Sequence, residues 1–600
     1  MEFRDIWRYH RLILILLTPL ALLPLPLAIG DKVSECAFVL LVMAVYWLSE
    51  ALPVAVTALI PAMFFPLFGI MKSSEVAATF FKDFHMLLTG VICLATAIEK
   101  WGLHRRIALG LINFVGVIPG RLMLGAMVGC GFLSMWLSNT SATAMVMPII
   151  EAVIKQMISA EGEASDQRRR ALTGTSNLAL QLDEIVKQDE KPAEKYSMEP
   201  SPADEKVDIT LEKPDPECEG SEMESEPPPA GGNTIYRTKQ DHMMCKGLGL
   251  AIAYSASIGG MTTLPGTSTN LIFAEYMREY YPGCDLINFG NWFIFCLPIS
   301  ILVLLLSWVW LHWLYLGSNF RSVFRFKSSY TEKEKSIARV LKDEYDSLGP
   351  ISRQEIITMV IFIVMVVLWF TREPGFMPGW AELFPDYPGF ASDATVALLL
   401  GLLFFIIPAQ KTTESYETLI SWKDFQACMP WEICLLVGGG FALAEGTQIS
   451  GLSTFVANLL VPLGQLPAPA TITIVCIIVT SITEVASNAA TMTIFLPILG
   501  PMAESIHVNP LYMLIPAALC VSFSFLLPSA NPPNAIVFSY GHLTTLDMVK
   551  AGVGVNVIGV LAVLLCTMTY GMPLFDLGTY PDWAPNHGSS NNTGLTLFPH

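Results

Sequence analysis

The chain has 600 residues, of which 53% are hydrophobic and 14% are charged, and its formal net charge is −17. Soluble proteins carry about 25% charged residues, so this composition excludes a set of ordinary soluble domains. Because about 20 apolar residues cross a bilayer, recurrent apolar runs predict an all-α polytopic membrane protein with about 11 transmembrane helices plus re-entrant helical hairpins. The runs are Leu12–Gly30, 36–69, 122–137, 246–260, 291–316, 354–370, 394–408, 469–482, 511–527 and 552–571.

The first apolar run, Leu12–Gly30, lacks a clear small-residue cleavage site, so we interpret it as a retained span and not as a signal peptide. Arg4, Arg8 and Arg11 precede it, which favours a cytoplasmic N-terminus. With an odd number of spans the C-terminus is extracellular. The Asn-Asn-Thr sequence that begins at Asn591 would then be a glycosylation acceptor.

An acidic segment interrupts the apolar runs. Residues 161–240 contain nineteen acidic and ten basic residues, so they contribute −9 of the net charge. The stretch KPDPECEGSEMESEPPPAGG is rich in Pro, Glu and Ser and almost free of large apolar side chains. Such a segment cannot bury enough apolar surface to offset its ordering entropy. We predict a disordered loop over 158–243 that acts as a solvated tether, and a partner-binding role remains an alternative.

The two halves of the chain carry an internal repeat. At a constant offset of 349 residues, matched positions run from 83 to 149 in the first half. Beyond them the offset becomes 264, where GTSTNLIF resembles ANPPNAIVF, and the difference is about the length of the acidic loop. The loop is therefore an insertion in the first copy. The matches are Asp83 with Glu432, Gly90 with Gly439, Ala95 with Ala444, Gly102-Leu103 with Gly451-Leu452, Ser138-Asn139 with Ser487-Asn488, Pro148-Ile149 with Pro497-Ile498, and Asn270 with Asn534.

Each copy contains two polar interruptions in apolar sequence. One is a Ser-Asn step, at Ser138 and at Ser487, and the other is the stretch 259–270 or 526–534, rich in Gly, Thr and Pro. Proline disfavours continuous helix, and irregular backbone survives in a membrane only where protein or water satisfies it. Broken helices offer amides to anions and carbonyls to cations. We therefore predict a secondary transporter with one site between the copies. Small polar residues that only join helices are the alternative for any single position.

Other sequence features narrow the function. The twelve cysteines are scattered, without a C-x-x-C pair, so neither a disulfide framework nor a metal cluster is expected. The sequence lacks the H-E-x-x-H, G-x-S-x-G and nucleotide-binding glycine motifs, so we predict that the protein is not an enzyme. A non-transporting receptor and a channel are weaker alternatives. Glu484 lies just before the second Ser-Asn step, where a charge facing lipid would be costly, so it either favours cations or pairs with a neighbouring donor. Lys82 and His85 could attract anions, although Lys82 more often snorkels to the surface.

The quoted motifs resemble one known family. SMWLSNTSATAMVMPI, TEVASNAATMTIFLPI, NPPNAIVFSYGH and VVLWFTREPGFMPGW resemble the divalent anion–sodium symporter family, and within it the renal-type sodium/sulfate cotransporters. The resemblance covers nearly the whole chain outside the acidic loop. It implies two inverted repeats, a scaffold and mobile transport domains, an elevator movement, a homodimer, and several sodium ions per divalent anion. It also implies residence in the plasma membrane, at the apical surface of epithelial cells.

The resemblance divides the chain into regions. They are N-terminal scaffold helices (1–78), a first-repeat hairpin and broken helix (79–157), the acidic loop (158–243), the rest of the first repeat with scaffold helices of the second (244–420), a second-repeat hairpin, broken helix and tip (421–545), and a last span with an extracellular tail (546–600). A plain span is an alternative to each hairpin, which would occupy 83–106 and 431–453. Expected partners are sulfate, sodium and the lipid bilayer, and no nucleic acid.

The resemblance also assigns site residues, all with neutral oxygens. The first sodium site would use Ser134, Ser138, Asn139 and the backbone of Gly266, and the second Thr483, Asn488 and the backbones of Ala486 and Ala530. The anion would contact Ser138, Asn139, Thr140, Ser141, Thr267, Ser268, Asn488, Ala489 and Asn531. Dicarboxylate-transporting members have Thr after both Ser-Asn steps, whereas here the second is followed by Ala489. Because Ser141 adds a hydroxyl on one side, we predict sulfate as substrate, with dicarboxylate or citrate as the alternative.

Deletion of residues 175–230 should leave transport kinetics nearly unchanged, because a longer or shorter surface loop alters chain entropy little. Uptake normalised to surface abundance would measure this. Loss of uptake at normal surface abundance would show that the acidic loop has a function of its own.

Overall fold

The computed structural model describes residues 10–116, 118–155, 239–317, 332–373, 378–386, 390–410, 416–453, 455–456 and 466–585. Most of the predicted acidic loop and the acceptor Asn591 lie outside these residues. The last five residues of the predicted loop, 239–243, instead begin a helix in which Asp241 is buried. The loop prediction was therefore too long at its C-terminal end, because polar composition there concealed the first turn of a packed helix.

The described chain is helical, and its only bridge of strand type within these ranges pairs Pro408 with Thr418. The helices of the first half are α1 (His10–Leu22), α2 (Pro24–Ile29), α3 (Lys32–Ser49), α4 (Val54–Thr57), α5 (Ile60–Leu67), α6 (Ser73–Thr79), α7 (Asp83–Lys100), α8 (Leu103–Val115), α9 (Pro119–Ser134), α10 (139–155), α11 (Lys239–Gly260), α12 (Ser268–Tyr280) and α13 (Phe289–Leu311), which continues as a π-helical turn (His312–Leu316).

The second half repeats this pattern of long and interrupted helices. They are α14 (Glu332–Ser347), α15 (Arg353–Arg372), a 3₁₀ turn (Trp380–Leu383), α16 (Asp393–Ile406), α17 (Trp422–Cys428), α18 (Trp431–Ile449), α19 (Ala468–Thr483), α20 (Asn488–Ser505), α21 (Pro510–Cys520), α22 (Pro532–Ser539) and α23 (Thr545–Cys566), which continues through a π-helical turn (Thr567–Gly571) into α24 (Met572–Leu574).

Six helical segments of the described chain are long and apolar enough to cross a membrane: His10–Ile29, Lys32–Ser49, Ser73–Lys100, Phe289–Leu316, Arg353–Arg372 and Thr545–Leu574. A seventh candidate is the pair α17–α18, which is bent by 58°. The protein is thus an all-helical multi-span membrane protein. Several shorter apolar helices, among them α19 and α21, end at the breaks that the sequence marks with polar residues.

Local sequence fixes where several helices begin. The Asp31 carboxylate accepts a hydrogen bond from the Ser34 amide at 2.8 Å and caps α3. Ser352 and Glu355 form a reciprocal capping box at the start of α15. The Arg106 guanidinium of α8 donates to the Glu355 carboxylate at 3.0 Å and to the carbonyls of Leu348 and Gly349. One partly buried arginine therefore joins α8 to the start of α15.

The repeats pack crosswise. Helix α7 of the first copy lies along α16, and its counterpart α18 packs against α3, α4, α5 and α6. Glycines at matched positions permit both contacts: a Cβ atom on Gly90 would overlap the backbone of Ala397, and one on Gly439 would overlap the backbone of Ala58. Helices α7 and α18 also contact each other, because His85 Nε2 lies 3.2 Å from the carbonyl oxygen of Cys434. Cys434 is the residue of the second repeat that corresponds to His85.

Gly90→Ala should destabilise the protein, since overpacking a close backbone contact costs about 1–3 kcal/mol. We expect a lower unfolding temperature and lower surface abundance, measured on detergent-solubilised and cell-surface protein. Gly110→Ala in α8 is the matched control, because a Cβ atom there meets nothing within 4 Å. Equal stability of the two variants would contradict the proposed packing role of Gly90.

Candidate functional site

Two helix breaks at matched positions form the centre of the site. Helix α9 ends at Ser134 and α10 begins at 139, while α19 ends at Thr483 and α20 begins at Asn488. The residue before each second helix caps it. Ser138 Oγ accepts from the Ser141 amide at 3.1 Å, and Ser487 Oγ accepts from the Ala490 amide at 3.3 Å. Each Ser-Asn step is therefore a helix start inside an apolar protein region.

A pair of neutral oxygens lies at each break. Ser134 Oγ donates to Asn139 Oδ1 at 2.6 Å, and Thr483 Oγ1 donates to Asn488 Oδ1 at 2.8 Å. Ser134 and Thr483 are fully buried. The repeat thus reproduces the same hydroxyl–amide pair in both copies. Hydroxyl and amide oxygens suit hard cations, so these pairs fit the predicted sodium ligands, with sodium as a transported substrate.

Two unwound segments face these breaks, one between α11 and α12 and one between α21 and α22. The Asn270 side-chain amide donates to the carbonyls of Met261 and Thr263, at 3.1 and 2.8 Å. The Asn534 amide does the same in the second copy, at 2.8 Å to Ser524 and 3.0 Å to Leu527. These asparagines replace the helical hydrogen bonds that the carbonyls have lost, so the irregular backbone remains satisfied.

The first unwound segment packs directly on the first break. A Cβ atom on Gly260 would overlap Asn139 Oδ1, and one on Gly266 would overlap the carbonyl oxygen of Gly260. Thr263 Oγ1 donates to the carbonyl of Met135 and accepts from the Gly266 amide. Glycine is required here because the backbone must approach the Asn139 side chain.

A cavity of about 550 Å³ lies where the four elements meet. Helices α10, α12, α20 and α22 all begin at its wall, and free amides of α10, α12 and α20 make the wall electropositive. Helix α22 begins with Pro532 and Pro533, which have no amide hydrogen. Among the described residues that line it there is no Lys, Arg or His, whereas Glu99 and Glu432 are present. The cavity therefore offers amides and hydroxyls to an anion, without a fixed positive side chain.

All nine residues predicted to contact the anion line this cavity, as do the predicted sodium ligands Gly266 and Ala530. Ser134, Thr483 and Ala486 are not in the wall. They are buried behind it, and Ser134 and Thr483 contact the wall residues Asn139 and Asn488. Glu484 pairs with neutral donors: its carboxylate accepts from the amides of Phe525 and Leu526. Lys82 pairs with Glu279, and neither Lys82 nor His85 is in the cavity wall.

Sequence reasoning missed part of the wall. One face of α7 contributes apolar side chains, and the bend between α17 and α18 contributes Cys428, Pro430 and Glu432. The proline at the bend was the available signal, since proline interrupts a helix. Trp136, next to the first break, also lines the cavity and packs edge-on against Phe362 of α15, with ring centroids 4.9 Å apart.

Comparison with known proteins places the chain among membrane transporters. The family model described as "Sodium:sulfate symporter transmembrane region" matches residues 4–577. Solute carrier family 13 member 1 from Homo sapiens is 54% identical over 98% of this chain and 99% of its own length. Solute carrier family 13 member 4 from Homo sapiens is 46% identical over 96% and 97%. Na(+)/dicarboxylate cotransporter 3 from Mus musculus is 40% identical over 99% and 97%.

Cys428 should react with a small membrane-permeant maleimide, because it is partly exposed and lines the cavity. Sodium together with the transported anion should slow its labelling several-fold, as measured by peptide mass spectrometry. Cys284 is the matched control, because it is also partly exposed but lies outside the cavity wall. Protection of both cysteines, or of neither, would contradict the assignment of this cavity as the binding site.

Proposed function

The chain belongs to the sodium:sulfate symporter family, and from that premise we propose that it imports sulfate in preference to dicarboxylates, in an electrogenic, elevator-type alternating-access cycle. Family membership over residues 4–577 confirms the predicted sodium:sulfate symport and makes the protein a transporter and not an enzyme. Sodium is carried with the anion and is not a resident cofactor.

One observation carries the proposal: a cavity built for an anion has no basic side chain among the described residues of its wall. A divalent anion in a water-poor site needs positive charge close by, since an unpaired buried charge is costly. Helix amides supply only partial charges. Sodium ions held by the Ser134–Asn139 and Thr483–Asn488 oxygen pairs would supply whole charges beside the anion.

This arrangement explains coupling. The anion binds weakly without sodium, and sodium fills its sites best when the anion balances its charge. Transport of either ion alone is then suppressed. Sodium also supplies the driving force, because a divalent anion enters a negatively charged cell against about 2.3 kcal/mol per charge per 100 mV. An inward movement of net positive charge requires more sodium charge than the anion carries.

The polar groups of the cavity favour a compact anion. Ser138 Oγ donates to Ser141 Oγ at 2.9 Å, so two hydroxyls lie together at the first break. At the offset of 349 residues, Thr140 and Ser141 correspond to Ala489 and Ala490, which have no hydroxyl. Sulfate spreads its charge over four oxygens around one centre, so one dense group of donors can hold it. A dicarboxylate has two separated charged ends and needs donors on both sides.

Dicarboxylate import is the second candidate. The cavity of about 550 Å³ has room for an anion larger than sulfate, and a relative at 40% identity is named a sodium/dicarboxylate cotransporter.

We further propose that the protein lies in the plasma membrane, with the N-terminus cytoplasmic and the C-terminus extracellular, and that it forms a homodimer. The arginines before the first span, the sequon at Asn591 and the family resemblance support these statements, and the topology assumes the odd number of spans, about 11, that the sequence predicts.

Radiolabelled sulfate and succinate uptake should be compared in the same cells, with sodium or choline outside. We expect sodium-dependent sulfate uptake, an inward current when sulfate is added under voltage clamp, and little succinate uptake. Equal sulfate uptake in choline would disprove sodium coupling. Comparable transport of succinate would remove the selectivity proposal while leaving sodium symport intact.

The double variant Ser141→Ala/Ala489→Thr should weaken sulfate transport about tenfold, by removing one donor from a buried anion. Residual succinate transport should fall less. KM values for both anions at saturating sodium would measure this. Ser481→Ala is the control, because that hydroxyl is exposed, bonds only to the Ile477 carbonyl among the described groups, and lies outside the cavity. A parallel loss for both anions would contradict the selectivity role.

A further inference from the structure

Among the buried side-chain oxygens without a hydrogen-bond partner in the described part of the chain, three lie on the unwound segment after α21 or on a residue bonded to it. They are Ser522 Oγ, Ser524 Oγ and Asn534 Oδ1. The three residues are at most 2% exposed. A buried polar atom without a partner is unfavourable, and native proteins normally satisfy it with another group, a water molecule or an ion. Ser522 and Ser524 belong to one segment, and Asn534 is hydrogen-bonded to it.

The three oxygens belong to one structural unit. Residues 521–526 follow α21 without helical structure. The segment begins with a turn, and the rings of Phe523 and Phe525, which flank Ser524, have centroids 6.1 Å apart. Asn534 is tied to the same segment, because its amide donates to the Ser524 carbonyl at 2.8 Å. Its NH₂ group is thus used, and its oxygen remains available.

The first repeat has no equivalent set. At the offset of 264 residues, Ser522 and Ser524 correspond to Ile258 and Gly260, and only Asn534 retains its counterpart, Asn270. The Asn270 oxygen also lacks a partner among the described groups, but no hydroxyl stands at the matched positions. The arrangement of two hydroxyls and an amide oxygen is therefore specific to the second copy.

The surroundings favour a cation over a water molecule. The buried Glu484 carboxylate accepts hydrogen bonds from the amides of Phe525 and Leu526, at 3.0 and 2.9 Å, and from the Asn556 side chain. These donors are neutral, so the negative charge beside the segment is not balanced by an ion pair within the described residues. Hydroxyl and amide oxygens close to a carboxylate form a suitable environment for sodium.

We propose that Ser522, Ser524 and Asn534 bind a sodium ion additional to the two at the helix breaks. The inference rests on the proposed function and explains one of its requirements. The charge of two sodium ions equals that of one divalent anion, so their joint transport moves no net charge. An electrogenic cycle therefore needs a further cation. The two helix breaks, one in each repeat, hold an even number of sodium ions. A site that is present in only one repeat makes the total number odd.

The test uses the full chain with Ser522→Ala and Ser524→Ala, singly and together. Removing an unpartnered buried hydroxyl should not harm folding. We expect the half-maximal sodium concentration to rise about tenfold, with the sulfate KM at saturating sodium little changed. The charge moved per sulfate, from simultaneous current and radiolabelled uptake, should fall toward zero in the double variant. Ser307→Ala is the matched control, since that hydroxyl is equally buried and unpartnered but lies in α13.

Unchanged sodium activation and charge per sulfate in the serine variants, at normal surface abundance, would overturn the proposal, as would an equal shift in Ser307→Ala. A variant that does not reach the cell surface is purified, and its unfolding temperature is measured with and without sodium. We expect sodium to raise the unfolding temperature of the variant less than that of the wild type. An equal rise overturns the proposal. Failure of wild-type protein to show sodium-dependent sulfate uptake would instead refute the proposed function. Electroneutral wild-type uptake would overturn the additional site alone.

Discussion

Backbone groups at the helix breaks must find partners without bulk water, and the rest of the site depends on this constraint. Hydroxyls at Ser138 and Ser487 cap the second half of each broken helix. Asn270 and Asn534 bind the carbonyls of the unwound segments. Once these bonds are made, four helix starts can stand together at a common cavity, and free amides of α10, α12 and α20 face it.

The cavity then determines the coupling chemistry. Since its described wall offers amides and hydroxyls but no basic side chain, the anion and the cations depend on one another for charge balance. A lysine or arginine in the wall would hold the anion without sodium and would permit uncoupled binding. The lack of a basic side chain in the described wall and the oxygen pairs at the breaks therefore act together, because both make anion binding depend on sodium.

Repetition and asymmetry have different roles. The repeat places equivalent hydroxyl–amide pairs on both sides of the cavity and lets α7 and α18 pack through matched glycines. The two copies also differ in the polar residues at some matched positions. Thr140 and Ser141 stand where the second copy has Ala489 and Ala490, and Ser522 and Ser524 stand where the first copy has Ile258 and Gly260. We propose that the first difference favours a compact anion and that the second provides an additional cation site.

The sequence alone determined the membrane class, the repeat and the residues of both breaks, because apolar runs, proline and capping side chains act through local chemistry. Through a resemblance carried by both Ser-Asn motifs, it also predicted a set of anion-contacting residues, and all of them line the cavity. Only the tertiary structure decided that α7 and the bend at Pro430 complete the cavity wall, that Arg106 joins α8 to α15, and that Glu484 binds the amides of Phe525 and Leu526. These contacts join residues far apart in the chain. They depend on how helices cross and on which buried groups are left without partners, and no local pattern of residues specifies either.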